Sequence, residues 1–179
     1  TVLGRDRTSG GDVVFKHAQT NAEIPGVDLD VILRDSYEAT RYWRHPGVLV
    51  PFAGFERDGH FEIALRYIPD ERRSVLSPEL MRDHAAEILP QLFSAVEFIH
   101  LMGYVHCDLK SENIFIDNRN EHNRVLITDL DLVRPVGSKP MGKIIGTQPF
   151  IAPEVLEDDI FVAQSDYYSL GVIMFLLCH

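Results

Sequence analysis

Cysteine is scarce: Cys107 and Cys178 are the only two in 179 residues. Two thiols cannot make a disulfide framework, so the chain suits a reducing compartment. Positive charge is also short. Seventeen Lys and Arg stand against 27 Asp and Glu, a formal net charge of −10. An acidic chain is repelled by phosphate backbones, which argues against nucleic acid as a direct partner. No long hydrophobic run is present. The longest, Leu170 to Cys178, is broken by Gly171, is far too short to cross a bilayer, and reads as a core helix. The opening TVLGRDRTSGGD lacks the basic start and apolar run of a secretory signal. Repeats and low-complexity segments are missing too. What the chain does have is a hydrophobic fraction of 45% with 25% charged residues. That excludes a disordered protein and supplies a core.

The punctuation divides the chain into a strand-rich beginning and a mainly helical remainder. Thr8-Ser9-Gly10-Gly11-Asp12 is a turn cluster ahead of the β-branched and aromatic run Val13-Val14-Phe15, so the first residues form a hairpin. Residues 28–44 carry helical spacing up to the breaker His45-Pro46-Gly47. Gly47 to Phe55 and His60 to Ile68 read as strands about the turn Glu56-Arg57-Asp58-Gly59. Ser77-Pro78-Glu79 opens a helix with a capping serine, proline at its first position and an early acid. That helix runs to about Met102, where Gly103 closes it, and Pro90 predicts a kink. Ile114 to Ile116 and Val125 to Thr128 are short strands, and a last helix starts near Ser165. The boundary between the two parts falls near Pro69-Asp70-Glu71, and the crevice between them is where a nucleotide would fit.

The chemistry concentrates in His106-Cys107-Asp108-Leu109-Lys110-Ser111-Glu112-Asn113, followed further on by Thr128-Asp129-Leu130-Asp131. Two carboxylates and an amide beside one crevice are what phosphoryl transfer requires. One carboxylate takes the proton of an attacking hydroxyl, and the other, with an amide oxygen, holds Mg²⁺ against phosphates. Lys110 adds a cation that could steady a moving phosphoryl group. Acids and amides crowd many surface loops, but two such motifs in order, both beside apolar strands, are a poor fit to that blander explanation.

HCDLKSEN resembles the catalytic loop of eukaryotic-type serine/threonine protein kinases. The resemblance implies an α+β fold of two lobes, both partial: a β-rich N-lobe over residues 1–69 and a mainly helical C-lobe over 70–179. It implies Asp108 as catalytic base, Lys110 on the γ-phosphate, as in serine/threonine rather than tyrosine kinases, and Asn113 and Asp129 as Mg²⁺ ligands. Gly146-Thr147-Gln148-Pro149-Phe150-Ile151-Ala152-Pro153-Glu154 resembles the end of the activation segment. There Thr147 would reach back to the base and the lysine, and Glu154 would anchor the segment by an ion pair to a later arginine. Asp166-Tyr167-Tyr168-Ser169-Leu170-Gly171 resembles the start of the central helix, with Tyr168 where tryptophan is usual.

On the nucleotide side, a lysine ending an apolar strand is costly to bury unless paired, though alone it would be read as reaching out to water. Val13-Val14-Phe15-Lys16 resembles the strand carrying the ATP-binding lysine, so Lys16 would hold the α- and β-phosphates. Its partner would be Glu38, with Asp35 as rival. Val2 would match the apolar residue that caps the adenine, and Val14 and Phe115 would join the nucleotide-binding set. Leu65, Arg66, Tyr67 and Ile68 resemble the gatekeeper and hinge, whose backbone would read the adenine edge. Gly4, Gly10 and Gly11 form no GxGxxG and read as turn glycines; the Gly-rich loop would precede residue 1. The resemblance therefore implies ATP and Mg²⁺ as cofactors, serine or threonine hydroxyls of proteins as substrates, and a cytoplasmic or nuclear location. The alternatives are a pseudokinase scaffold that binds ATP without turnover, and a small-molecule phosphotransferase. Lys110 and the GTQPFIAPE segment argue against the latter. The truncated pattern at both ends predicts a fragment that would be unstable or inactive alone.

Three positions in and around the two acidic motifs also depart from the family pattern. Leu130 replaces the usual phenylalanine and keeps an apolar plug. Asp131 stands where glycine is usual, which predicts backbone strain of about 1–2 kcal/mol and a third carboxylate near the metal site. Cys107 stands where an arginine usually receives an activation-loop phosphate. It reads as a small buried residue, with a redox handle as the less common alternative. Between Leu132 and Gly146 the only hydroxyl is Ser138. With neither receptor nor a rich target, activation-loop phosphorylation is not expected to control the chain. Ser138→Ala should leave phosphoryl transfer unchanged in a radiolabel assay; loss with alanine and recovery with Ser138→Glu would overturn this.

Overall fold

In the computed structural model, residues 2–5, 10–17, 28–118, 122–139 and 146–178 are described. Thr8 and Ser9 of the expected turn cluster lie outside that set. The chain opens with the hairpin β1 (Val2–Arg5) and β2 (Asp12–His17). β4 (His60–Arg66) pairs antiparallel with β2, and β3 (Ala53–Arg57) with β4, giving the order β1-β2-β4-β3. The expected strand from Gly47 begins only at Ala53. Val48 instead makes an isolated bridge to Ile127, and the Leu49 amide donates to the Ile127 carbonyl at 2.8 Å.

Helix α1 (Leu29–Thr40) starts where the Asp28 carboxylate accepts from the amides of Asp30 (3.0 Å) and Val31 (3.3 Å). It buries Ile32, Leu33, Ser36 and Thr40, a single stripe at helical spacing. Leu33 packs on Phe61 and Ile63 of β4, and the same face of the helix meets the turn at Leu130–Leu132.

The longer helix α2 (Pro78–Leu101) begins as expected, with the Ser77 hydroxyl accepting from the Leu80 amide at 3.3 Å. Its backbone break falls at His84 (φ −133°), not at Pro90. Ile88, Leu92, Ala95, Val96 and Ile99 recur along its inner face and are at most 1% exposed. They form the main core with the sheet of β5 (Arg73–Val75), β7 (Ile114–Asp117) and β8 (Arg124–Ile127). A two-stranded ladder of β6 (Tyr104–Val105) and β9 (Arg134–Pro135) brackets the loop between β6 and β7. The short α3 (Pro153–Glu157) leads to α4 (Ala163–Cys178). Leu170 and Ile173 of α4 enter the core while Phe175 and Leu176 stay exposed, so the expected core helix is buried on one side only. Among the described residues, no helix is long and apolar enough to cross a membrane.

This is the α+β architecture expected from the sequence, a strand-rich beginning followed by a mainly helical part. Ile99 is 0% exposed where α2 meets the core, so Ile99→Ala should cost about 2–5 kcal/mol by cavity formation, read as a lower midpoint in urea unfolding.

Candidate active site

The loop after β6 is set from below by one carboxylate. Asp166, in the first turn of α4 and 1% exposed, accepts from the amide of His106 (2.9 Å) and the amide of Cys107 (3.2 Å). His100 Nε2 lies 2.8 Å from the same carboxylate. His106 is fully buried; its Nδ1 accepts from the Asp108 amide at 3.3 Å, so its Nε2 carries the proton and donates to the Thr128 carbonyl at 3.0 Å. The imidazole thereby ties the 106–113 loop to the 128–131 turn. Cys107 adopts φ +70°, a left-handed turn immediately before Asp108.

Asp108 is the hub of a closed triangle. Lys110 Nζ lies 2.8 Å from its Oδ2, the Thr147 hydroxyl donates to its Oδ1 at 2.8 Å, and Lys110 Nζ donates to Thr147 Oγ1 at 2.9 Å. Asn113 Nδ2 donates to the Asp108 carbonyl at 2.9 Å, which turns the amide oxygen away from that carbonyl. Gly146, next to Thr147, has φ +117°, and a Cβ there would lie 3.1 Å from the Cys107 carbonyl oxygen. Only glycine fits both the angle and the space. Further along, the anchor expected of Glu154 is made locally, its carboxylate accepting from the Ser165 hydroxyl at 2.8 Å.

Beside this triangle opens a cleft of about 230 Å³. Val14, Leu65, Ile68 and Phe115 give it apolar walls; Lys16, Asn113, Asp129 and Asp131 give it a polar end. Val14 and Lys16 alternate with Phe15 along β2 and so share one face. Arg66 and Tyr67 line the cleft as well, and the Tyr67 amide is spent on the Asp12 carbonyl at 3.3 Å.

Lys16 Nζ sits 2.6 Å from Asp129 Oδ1 and 2.6 Å from Asp131 Oδ2. Burial alone would lower its pKa, but Asp131 and then Asp129 outweigh burial and leave the ammonium above its ordinary value. The two carboxylates sharing it are driven apart. For Asp129, burial is outweighed by Lys16 and the carboxyl sits low. For Asp131, burial, reinforced by repulsion from Asp129, wins over Lys16 and the carboxyl sits high.

Several sequence expectations are corrected here. Glu38 does not serve Lys16: it lies on the exposed side of α1 and pairs with Arg41 at 3.1 Å. Its rival Asp35 is exposed too. The stripe begun by Leu33 reaches the cleft at Ser36 and Thr40, and helical spacing from Leu33 would have revealed this. Val2 does not line the cleft. It pairs with Phe15, so it shares the far face of the sheet, and it is 58% exposed; Leu3, opposite Val14, is the residue on the cleft side. The strain expected at Asp131 is absent, since the left-handed residue of this turn is Asp129 (φ 62°, ψ 58°).

The family description "Protein kinase domain" matches residues 1–179. The chain belongs to the protein kinase domain family. Among curated relatives, it is 28% identical over 148 residues to calcium/calmodulin-dependent protein kinase type 1 of Caenorhabditis briggsae, covering 81% of this chain and 42% of that protein. It is also 28% identical over 178 residues to serine/threonine-protein kinase D2 of Rattus norvegicus, covering 97% of this chain and 20% of that protein. The kinase domain chain thus spans less than half the length of these relatives.

Within this kinase domain, Cys107 is half-buried and its thiol donates to the Val105 carbonyl at 3.3 Å. Burial first and the Asp166 carboxylate second hold its thiol well above the ordinary value, against the opposing pull of Arg134. Since the thiolate is the nucleophile, iodoacetamide at pH 7.5 should leave Cys107 unlabelled in the native chain and modify it only after unfolding, as read by peptide mass spectrometry. Asp166→Ala would orphan the buried amides of His106 and Cys107 at about 1–3 kcal/mol each, so urea unfolding should show a loss of several kcal/mol.

Proposed function

We propose that the chain is the ATP-binding and catalytic part of a serine/threonine protein kinase, transferring the γ-phosphoryl of ATP to serine or threonine hydroxyls of proteins. The observation that carries this reading is the triangle of Asp108, Lys110 and Thr147, joined to an apolar-walled cleft by Asn113, which bonds the Asp108 carbonyl and lines that cleft.

Asp108 accepts the proton of the attacking hydroxyl at its carboxylate as the new O–P bond forms and the bond from the γ-phosphorus to the bridging β–γ oxygen breaks, with ADP as the leaving group. Thr147 on Oδ1 and Lys110 on Oδ2 hold the carboxylate in one orientation, and Lys110, a cation, stabilises charge on the transferring group. Lys16 binds the α- and β-phosphates from the polar end of the cleft. Val14, Leu65 and Phe115 enclose the adenine, and the backbone of Arg66 to Ile68 meets its edge.

The residues present fit Mg²⁺. Among the described residues no three His, Cys, Asp or Glu side chains gather as a metal site. Mg²⁺ is nonetheless bound through one or two carboxylates, with phosphates and waters completing its shell. Asp129 lines the cleft as the carboxylate, and Asn113 supplies an amide oxygen. Mg²⁺ held there would neutralise charge building on the phosphate oxygens.

The test is transfer of labelled phosphate from ATP to a generic serine/threonine protein substrate with Mg²⁺, by the full-length protein. Asp108→Asn should lower the rate about 10²- to 10⁴-fold with ATP affinity retained. Equal, absent transfer by the wild type and Asp108→Asn, with ATP bound, would replace this reading with a binding module.

A further inference from the structure

Lys16 is held in a way that the resemblance did not predict. A lysine at the end of β2 has no carboxylate from α1 to meet, because the residues α1 turns toward the cleft are Ser36 and Thr40. Both of their hydroxyls are already spent within the helix, Ser36 Oγ donating to the Leu33 carbonyl at 3.0 Å and Thr40 Oγ1 to the Ser36 carbonyl at 2.8 Å. The acids of α1 that could have served, Asp35 and Glu38, are on its exposed side. Two carboxylates do reach Lys16, both from the 129–131 turn, at 2.6 Å each. They are not equivalent. Asp129 is the more exposed of the two, at 36% of its side chain against 24% for Asp131, and its carboxylate is the one placed to turn to a metal.

We propose that Asp131 is the positioning residue of Lys16, supplying from the 129–131 turn the carboxylate that α1 lacks. An ammonium carries three N–H donors. Asp129 and Asp131 occupy two, and one is left for a phosphate oxygen. When Asp129 turns to a metal, Asp131 still fixes the ammonium against the cleft wall, and a second donor is released to phosphate. The orientation of Lys16 is thereby set by a turn bonded to the catalytic loop through His106 and Thr128. In this arrangement rotation of α1 does not make or break the lysine's ion pair. It also gives a physical reason for an acid at position 131, where the backbone angle makes no demand for glycine.

The inference rests on reading Lys16 as a phosphate ligand, and the experiment separates the two. Binding of ATP and of adenosine to the full chain is measured by titration calorimetry, with and without Mg²⁺, for the wild type, Asp131→Asn and Lys16→Ala. Loss of one charged hydrogen bond corresponds to about a tenfold weakening. Asp131→Asn is expected to weaken ATP by about that factor whether or not Mg²⁺ is present, and to leave adenosine, which has no phosphates, unchanged. Unchanged or tighter ATP binding in Asp131→Asn, while Lys16→Ala weakens it, would overturn the positioning role alone. A loss seen only with Mg²⁺ would make Asp131 a metal ligand instead, and an equal loss for adenosine would make it a structural residue; either overturns the inference. If Lys16→Ala itself leaves ATP binding intact, the phosphate reading of Lys16 fails and this inference with it.

Discussion

The carboxylate of Asp166 carries the loop on which the site is built. It lies 1% exposed in the first turn of α4 and accepts from two consecutive amides, those of His106 and Cys107. A buried anion is tolerated only when donors surround it, and here the donors are the backbone of the loop that must be held still. The left-handed turn at Cys107 follows, immediately before Asp108. His106 extends the same scaffold to the 128–131 turn by bonding the Thr128 carbonyl at 3.0 Å. The 106–113 loop, the 129–131 carboxylates and α4 are thus one bonded unit, and the core formed by α2 and the β5-β7-β8 sheet lies against it.

Above that unit the cleft collects opposite charges at short range. Lys16 reaches it from β2 and Asp129 and Asp131 from the turn, and beside it Lys110 pairs with Asp108 in the loop. In partial burial these charges hold one another in place, which explains why an acidic chain concentrates lysines here. The helix α1 closes the cleft with hydroxyl side chains rather than a carboxylate. That distribution of charge makes the turn, not the helix, the element that determines where the Lys16 ammonium lies.

Much of this was legible in the sequence because it is local. Proline, glycine and capping residues are read by their own backbone, so the hairpin of β1 and β2, the start of α2 at Ser77-Pro78 and its end at Gly103 could be placed by inspection. The order of HCDLKSEN, TDLD and GTQPFIAPE identified the family, and the short distance along the chain between Asp108, Lys110 and Asn113 almost guaranteed that they would meet. What the sequence could not decide was which residues distant in the chain would be paired. Glu38 has the right chemistry for Lys16, but the apolar stripe of α1 is buried against β4 and turns it to solvent. Val2 is apolar as expected, but the β1–β2 register places it opposite Phe15, on the wrong face. Asp131 looked like a strained intruder, yet the turn bends at Asp129 and delivers both carboxylates to one ammonium. Residue type and local order determined the family and the cluster of Asp108, Lys110 and Asn113 in one loop. Only tertiary structure decided the ion-pair partners, because these depend on helix phase, strand register and the direction of a single turn.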